Sequence, residues 1–371
     1  MKITFIMPAD DLSGGNRVVA TYAKALHARG HDVLVINKAP PRPTLWDCVR
    51  ALRHGRWALF KKPATTPMGH VAHSGVKQCI LEQPGPMRPE DLPDADILIA
   101  TWWETSVWMQ SMPPSKGAKV HLIQDYEVWW TEEDVSERVH AALRGNNCKI
   151  AISNELKRTL NEKVGDLDVV VIPNAVDLQQ FDAPQRGRNP LPTVGFMYSN
   201  SQRKAADIYY QACQLALRDL PTLQVISFGG DLPSPELPLP ADTSYVHRPA
   251  QNQIASIYAS CDVWLFGSRI DSFGLPILES MACRTPVIGV PVGAATELLT
   301  DGVGVLVAPE SPSDMAQAMV AFFRQSPAQW QTMSQLAYDR AHSYTWDDAT
   351  DRLVQVLTAC VAQQSAGPLQ E

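Results

Sequence analysis

Ser268-Arg269-Ile270-Asp271-Ser272-Phe273-Gly274-Leu275-Pro276-Ile277-Leu278-Glu279 follows directly on the apolar run Val263–Phe266. The run has the length of a buried strand, and Pro276 suits the first turn of a helix, where its missing N–H is no loss. A strand, a loop bearing a carboxylate, and a helix with Glu279 in its first turn are therefore expected. The free amides of Phe273, Gly274 and Leu275 at such a helix start can hold a phosphate. Asp271 and Glu279 would flank that phosphate, and a carboxylate is a bidentate acceptor for vicinal hydroxyls. A sugar–phosphate–sugar ligand, the shape of a nucleotide sugar, is predicted. Plainer readings stand beside this one: Glu279 as a carboxylate complementing the helix dipole, Asp271 as a solvated loop residue.

Outward from this stretch, strand-length apolar runs alternate with segments of helical period, the pattern of parallel α/β layers. Ile3–Met7, Asp32–Ile36, Ile97–Ala100, Lys119–Ile123, Lys149–Ile152 and Val169–Ile172 read as strands. Gly14-Gly15 reads as a turn, and Val18, Val19, Tyr22, Ala23 and Leu26 as one face of a helix that Gly30 ends. Ala183–Pro192 holds three prolines and reads as a linker. Beyond it Thr193–Met197, Gln224–Phe228, Val263–Phe266, Val287–Val290 and Val305–Val307 read as strands, and Lys204–Arg218 as a helix. The expectation is two Rossmann-like domains, 1–180 and 181–345, facing across a cleft. Ligands of such sheets bind at the carboxyl ends of the strands.

The 371 residues are 45% hydrophobic and 19% charged, the balance of a globular chain. A net charge of −7 speaks against nucleic-acid binding driven by phosphate neutralisation. Seven cysteines without a CxxC argue against a disulfide framework or zinc ribbon and for reduced thiols in a cytoplasm. The start, MKITFIMPADD, is too short in apolar residues for a signal peptide, and no later run approaches a membrane span. No HExxH, GxSxG, GxGxxG or P-loop GK[ST] occurs, so metal dependence and a dinucleotide cofactor are not indicated.

Three further segments carry chemistry. Gly14 and Gly15, between a strand and a helix, let backbone amides approach a phosphate, or else form an ordinary tight turn. Five of the ten tryptophans (102, 103, 108, 129 and 130) fall in TWWETSVW and QDYEVWW. Trp102 and Trp103, with Gln124 and Asp125, have the composition of a sugar-binding wall, the alternative being core packing. Residues 42–62 carry six Lys/Arg against Asp47, net +5, with Leu45, Val49 and Leu52 on one helical face. Such a stretch suits an anionic membrane surface, or simply a solvated helix.

The Asp271–Glu279 spacing, continued by ESMACRTPVIGVPVGAATELL, is joined in order by Gly14-Gly15, Ile172-Pro173-Asn174-Ala175-Val176-Asp177, Lys204 and Tyr344-Thr345-Trp346. With these motifs the chain resembles the retaining, GT-B-fold glycosyltransferases of family four, of the bacterial surface-polysaccharide type. The resemblance implies that Gly14 and Gly15 approach the donor diphosphate and that Lys204 neutralises it. It further implies that Asp271 contacts the donor sugar, Glu279 the ribose, and the amides around Gly274 and Leu275 the distal phosphate. A final helix, 346–371, would return to the N-domain. The implied reaction moves a sugar from a nucleotide-diphosphate donor to a glycan or lipid-linked acceptor in the cytoplasm or at the inner membrane face, with no cofactor and no metal. Two departures mark this chain. The family's first glutamate is Asp271, and Tyr198 and Ser199 stand where the family has an arginine, leaving the adjacent Arg203 as its substitute or as a surface charge. Gln124-Asp125 replaces a His-Asp pair, so Gln124 can serve only by hydrogen bonding. A catalytically degenerate donor-binding scaffold and a sugar-nucleotide 2-epimerase are the alternatives.

Overall fold

A computed structural model describes residues 1–39, 69–83, 85–128 and 135–366. The basic stretch 42–62, with Trp46 and Trp57, lies outside the described residues, as do Trp129 and Trp130. The chain forms two compact units. Met1–Ile152, Lys157–Ile172 and Thr350–Glu371 compose the first; Ser153–Leu156 and Pro173–Ala349 compose the second. Apart from Ser153–Leu156, the divisions fall after Ile172 and Ala349.

The first unit is built on seven strands: β1 Lys2–Met7, β2 Asp32–Asn37, β3 Lys77–Ile80, β4 Ile97–Ala100, β5 Ala118–Ile123, β6 Cys148–Ala151 and β7 Val169–Val171. Their order is β3-β2-β1-β4-β5-β6-β7, and every pairing is parallel. Parallel strands covered on both faces need continuous apolar sequence, and Ile97, Leu98, Ile99 and Ala100 are all buried. The helix Gly14–Ala28 turns Val18, Val19, Tyr22, Ala23 and Leu26 inward, each large side chain contributing about 1.5–3 kcal/mol by burial. From the helix Trp346–Ala366, Leu353, Leu357 and Cys360 are buried. Arg29 Nε donates to Asp351 Oδ1 (2.9 Å) and Gln364 Nε2 to the Pro114 carbonyl (3.2 Å).

The second unit repeats the plan with β8 Thr193–Tyr198, β9 Gln224–Gly229, β10 Ser244–His247, β11 Val263–Phe266, β12 Val287–Gly289 and β13 Val305–Leu306. The order β10-β9-β8-β11-β12-β13 is again parallel throughout. In both sheets the order runs three-two-one-four-five-six from the first strand, so each has a switch point: β1/β4 in one, β8/β11 in the other. Ligands of open α/β sheets bind outside the carboxyl ends at that point.

Several local expectations are corrected. Gly14 and Gly15 are no turn: Ser13 caps the helix by accepting from the Asn16 amide, and the two glycines are its first residues. Ala183–Pro192 is no free linker. Arg186 donates to Thr285 Oγ1 (3.1 Å), Arg188 to the Gln325 carbonyl (2.9 Å), and the Asn189 amide to Asp262 Oδ1 (2.8 Å), which ties the stretch down on the second unit. Lys204 does not open a helix. It closes a one-turn 3₁₀ segment, Gln202–Lys204, which left-handed Ala205 (φ 55°) separates from the helix Ala206–Ala216. Glu279 is the fifth residue of the helix Leu275–Ala282, beyond its first turn, so the helix-dipole reading does not apply.

Candidate functional site

The loops leaving β8 and β11 meet at the switch point of the second unit. The β8 loop brings Ser199 through Lys204; the β11 loop brings Gly267 through Gly274. Arg269 laces them together. Its amide donates to the Arg203 carbonyl (2.8 Å), Nη1 to the Gln202 carbonyl (2.8 Å), and the guanidinium forks onto both oxygens of Asp207 (2.9 and 2.7 Å). Glu310 takes the remaining edge at 2.7 Å. The Arg269 hydrogen bonds hold the Asp207 carboxyl below its ordinary value. Nothing in the sequence singled out Arg269; its partners lie 62 and 41 residues away.

On this frame Lys204 Nζ meets Asp271 Oδ2 at 2.6 Å. The other oxygen of Asp271 accepts the amides of Gly274 (2.8 Å) and Phe273 (3.3 Å). Two conditions fix the loop. Gly274 stands at φ 87°, and a Cβ there would lie 3.0 Å from Ile277 and Phe266, so only glycine fits. Gly293, also left-handed, lets the Asp271 and Phe273 backbone approach to 3.0 Å of its Cβ position, and the Ala294 amide donates to the Phe273 carbonyl (2.9 Å). A hollow beside the pair is lined by Lys204, Tyr209, Trp264, Ser268, Asp271 and Pro276. Lys204, Asp271, Phe273 and Gly274 are therefore brought together, with Leu275 opening the following helix and Arg203 one residue from Lys204.

Glu279 is placed on the same helix but deeper, buried at 6% exposure, with Oε2 accepting from the Tyr258 hydroxyl (2.8 Å). Tyr258 was not foreseen. It lies 21 residues upstream on the helix Gln251–Ala259, and its ring stands edge-on to Trp264 (4.5 Å), Phe228 and Phe181.

In the first unit, the residues after β5 gather beside the start of the helix Gly14–Ala28. The Gln124 side chain lies against Gly15, 3.5 Å from where a Cβ would stand. Gln124 Oε1 is buried and has no partner among the described residues. Asp125 is half-buried. Glu127, buried, accepts from the Trp103 amide (2.8 Å) at the start of the helix Trp103–Gln110. Burial pushes its carboxyl well above the usual carboxylate range, the Trp103 amide opposing and Asp125 and Glu104 adding to the rise. Trp103 is itself buried beneath the Arg138 guanidinium (4.7 Å), so its ring packs instead of forming an open wall. Trp102 is half-buried, and Lys38 pairs with Glu104 (2.9 Å) over Trp108. Among the described residues no group of three His, Cys, Asp or Glu is placed to share a metal ion, and no helix is long and apolar enough to cross a membrane.

Two parallel sheets of Rossmann order, each with its ligand-facing switch point, define the GT-B class. The second sheet and its loops match the family model described as glycosyl transferases group 1 over residues 191–325, and residues 12–180 match that of glycosyltransferase family 4. The chain belongs to this glycosyltransferase family. The D-inositol 3-phosphate glycosyltransferase of Nocardiopsis dassonvillei is 30% identical over 244 residues, covering 58% of this chain and 56% of the relative. That of Streptosporangium roseum is 32% identical over 226 residues, covering 54% and 52%. The chain thus spans about half the length of the curated relatives it matches. Among solved structures, sucrose-phosphate synthase of Thermosynechococcus elongatus superposes with a TM-score of 0.72 at 17% identity, over 98% of this chain and 100% of that one. HepE of Anabaena in complex with UDP gives 0.73 at 18%, over 97% and 100%. At these identities the likeness is one of fold.

Proposed function

We propose that the protein is a retaining glycosyltransferase that moves a sugar from a nucleotide-diphosphate donor to a hydroxyl of a glycan or lipid-linked acceptor, in the synthesis of a cell-surface polysaccharide or glycoconjugate. One observation carries the reading: Lys204 and the amides of Phe273 and Gly274 converge on a single anionic group at the β8/β11 switch point. A cation and two main-chain donors so arranged suit a diphosphate leaving group, and stabilising its departure is the main catalytic contribution they can make. The bond from the anomeric carbon to the diphosphate breaks as the acceptor oxygen bonds that carbon. The leaving phosphate oxygen takes the acceptor proton. No metal is required in this scheme, since Lys204 and the amides supply the positive field; Arg203 adds to it. Glu279 binds the ribose, and Gly14 and Gly15 approach the diphosphate. Gln124, Asp125 and Trp102 belong to the acceptor region. UDP bound to HepE supports a nucleotide-sugar donor. We place the protein in the cytoplasm, with the basic stretch 42–62 as a contact for the inner membrane face.

The engagement of Asp271 with its own loop favours one second reading, a donor-binding scaffold without turnover. A thermal-shift screen over UDP, GDP, dTDP and their sugars identifies the donor, because a ligand of the native state raises Tm. Release of free nucleotide on adding acceptor then separates a transferase from a scaffold and from an epimerase. A chain that binds no nucleoside diphosphate refutes the proposal.

A further inference from the structure

The amides expected to hold a ligand phosphate already hold an anion, and that anion is a side chain of the same loop. Asp271 Oδ1 takes the Phe273 and Gly274 amides, while Oδ2 takes Lys204 Nζ. We propose that the Asp271 carboxylate is an internal stand-in for the donor phosphate: it keeps the cation and amides converged, a diphosphate enters by exchange with it, and it thereby sets which anions the site admits. This rests on the donor reading of the site given above.

Three features support exchange over a fixed structural bond. First, the two amides are held independently of the carboxylate, which alone gathers Lys204 Nζ to them: Gly274 and Gly293 fix the loop backbone, and Arg269 ties the loop to Asp207, Glu310 and the Arg203 carbonyl. The carboxylate can swing away on its short side chain while the amides stay in place. Second, an aspartate reaches the amides two and three residues ahead of it, the geometry of an Asx turn. A glutamate's added methylene carries its carboxylate past them, so this arrangement belongs to the shorter residue. Third, Lys204 and Asp271 keep 29% and 13% side-chain exposure, so an incoming anion has access to both.

Exchange has a consequence for selectivity. The donors are never left unpaired, since one anion replaces another. A singly charged anion brings little more than the carboxylate it displaces. A diphosphate brings more charge and a second phosphate, and wins. The released carboxylate is then next to the bound donor, on the loop that carries its phosphate ligands.

Calorimetry on the full chain with inorganic pyrophosphate, orthophosphate and the three nucleoside diphosphates tests this. Asp271→Asn keeps the shape and removes the charge, and Asp271→Ala removes the group. Both should bind pyrophosphate about tenfold or more tightly than the unaltered chain, the scale of one lost charge-assisted contact. The same exchange cost falls on orthophosphate, which both variants should also bind about tenfold or more tightly. Lys204→Met should lose binding. A purely structural bond predicts the reverse, weaker binding with a lower Tm. If the unaltered chain binds nucleoside diphosphates and neither variant, checked as folded by thermal unfolding, binds pyrophosphate more tightly, the stand-in role is wrong and the donor reading survives. If no form of the protein binds any of these ligands, both fall.

Discussion

The Tyr258 hydroxyl donates to Glu279 Oε2 at 2.8 Å within the second unit, between two helices whose sequences show no sign of the pairing. A buried carboxylate needs such a partner to remain an acceptor at a fixed angle. Replacing Glu279 by Gln should weaken nucleotide binding by about 1.5–3 kcal/mol, the value of a charged hydrogen bond to ribose. Tyr258→Phe removes only the hydroxyl and should weaken binding by roughly 0.5–1.5 kcal/mol. Titration calorimetry with the nucleotide found in the screen is the measurement. An unchanged Kd in folded Glu279→Gln removes Glu279 from the donor site.

Lys204→Ala should lower turnover far more than stability. The 3₁₀ turn that carries Lys204 is held by main-chain bonds, from the Lys204 amide to the Ser201 carbonyl (2.9 Å) and from Ala205 to Gln202 (3.2 Å), which the substitution leaves in place. A loss of about 2.7–4 kcal/mol in transition-state stabilisation is expected, the scale of one preorganised donor. Activity within a few-fold of the unaltered chain would pass the role to Arg203.

Glu127 gives the first unit a dependence on pH. Its folded pKa is raised above the ordinary 4.5, so the native state binds more protons than the unfolded one from about pH 4.5 up to the folded value. Stability therefore falls as pH rises through that window, by at most about 1.4 kcal/mol per unit. Glu127→Gln is neutral at every pH and its carbonyl can still accept from the Trp103 amide. Denaturant unfolding of the variant should show a flatter pH profile and greater stability at pH 8. A profile parallel to that of the unaltered chain shows Glu127 ionised in the fold.

Vesicle binding tests the stretch 42–62. Its net +5 should bring the chain down with anionic vesicles at low salt and release it as salt rises, each cation contributing about 1 kcal/mol within a Debye length of roughly 8–10 Å. Joint replacement of Arg50, Arg53 and Arg56 by Gln should abolish sedimentation and leave nucleotide binding intact. Failure to sediment at any salt points to a soluble acceptor.

The interior strands Ile97–Ala100 and Val263–Phe266 were legible because each is an unbroken apolar run, buried at every position. The edge strands β3 and β10 were not. Lys77–Ile80 and Ser244–His247 have one neighbour strand each and stay largely exposed, so neither needs an apolar sequence. At the site, Gly274, Pro276 and Glu279 gave away a strand–loop–helix ligand loop. They did not show that Asp271 turns back on the Phe273 and Gly274 amides, since a side chain's direction depends on competition between local donors and solvent that spacing does not encode. The Arg269–Asp207–Glu310 cluster and the Tyr258–Glu279 pair join distant parts of the chain and leave no local pattern.

The helix Trp346–Ala366, from Thr350 on, completes a unit whose strands are all made by Val171, before Pro173–Ala349 is synthesised. On the ribosome, Pro173–Ala349 takes roughly 10–35 s to synthesise at about 5–20 residues per second. Throughout that interval the nascent first unit lacks the side chains of Leu353, Leu357 and Cys360, and the apolar seam they cover faces water. Exposed apolar surface of this kind makes the newborn chain prone to aggregate until the last helix is made. A fragment that stops before Trp346 carries the same seam permanently.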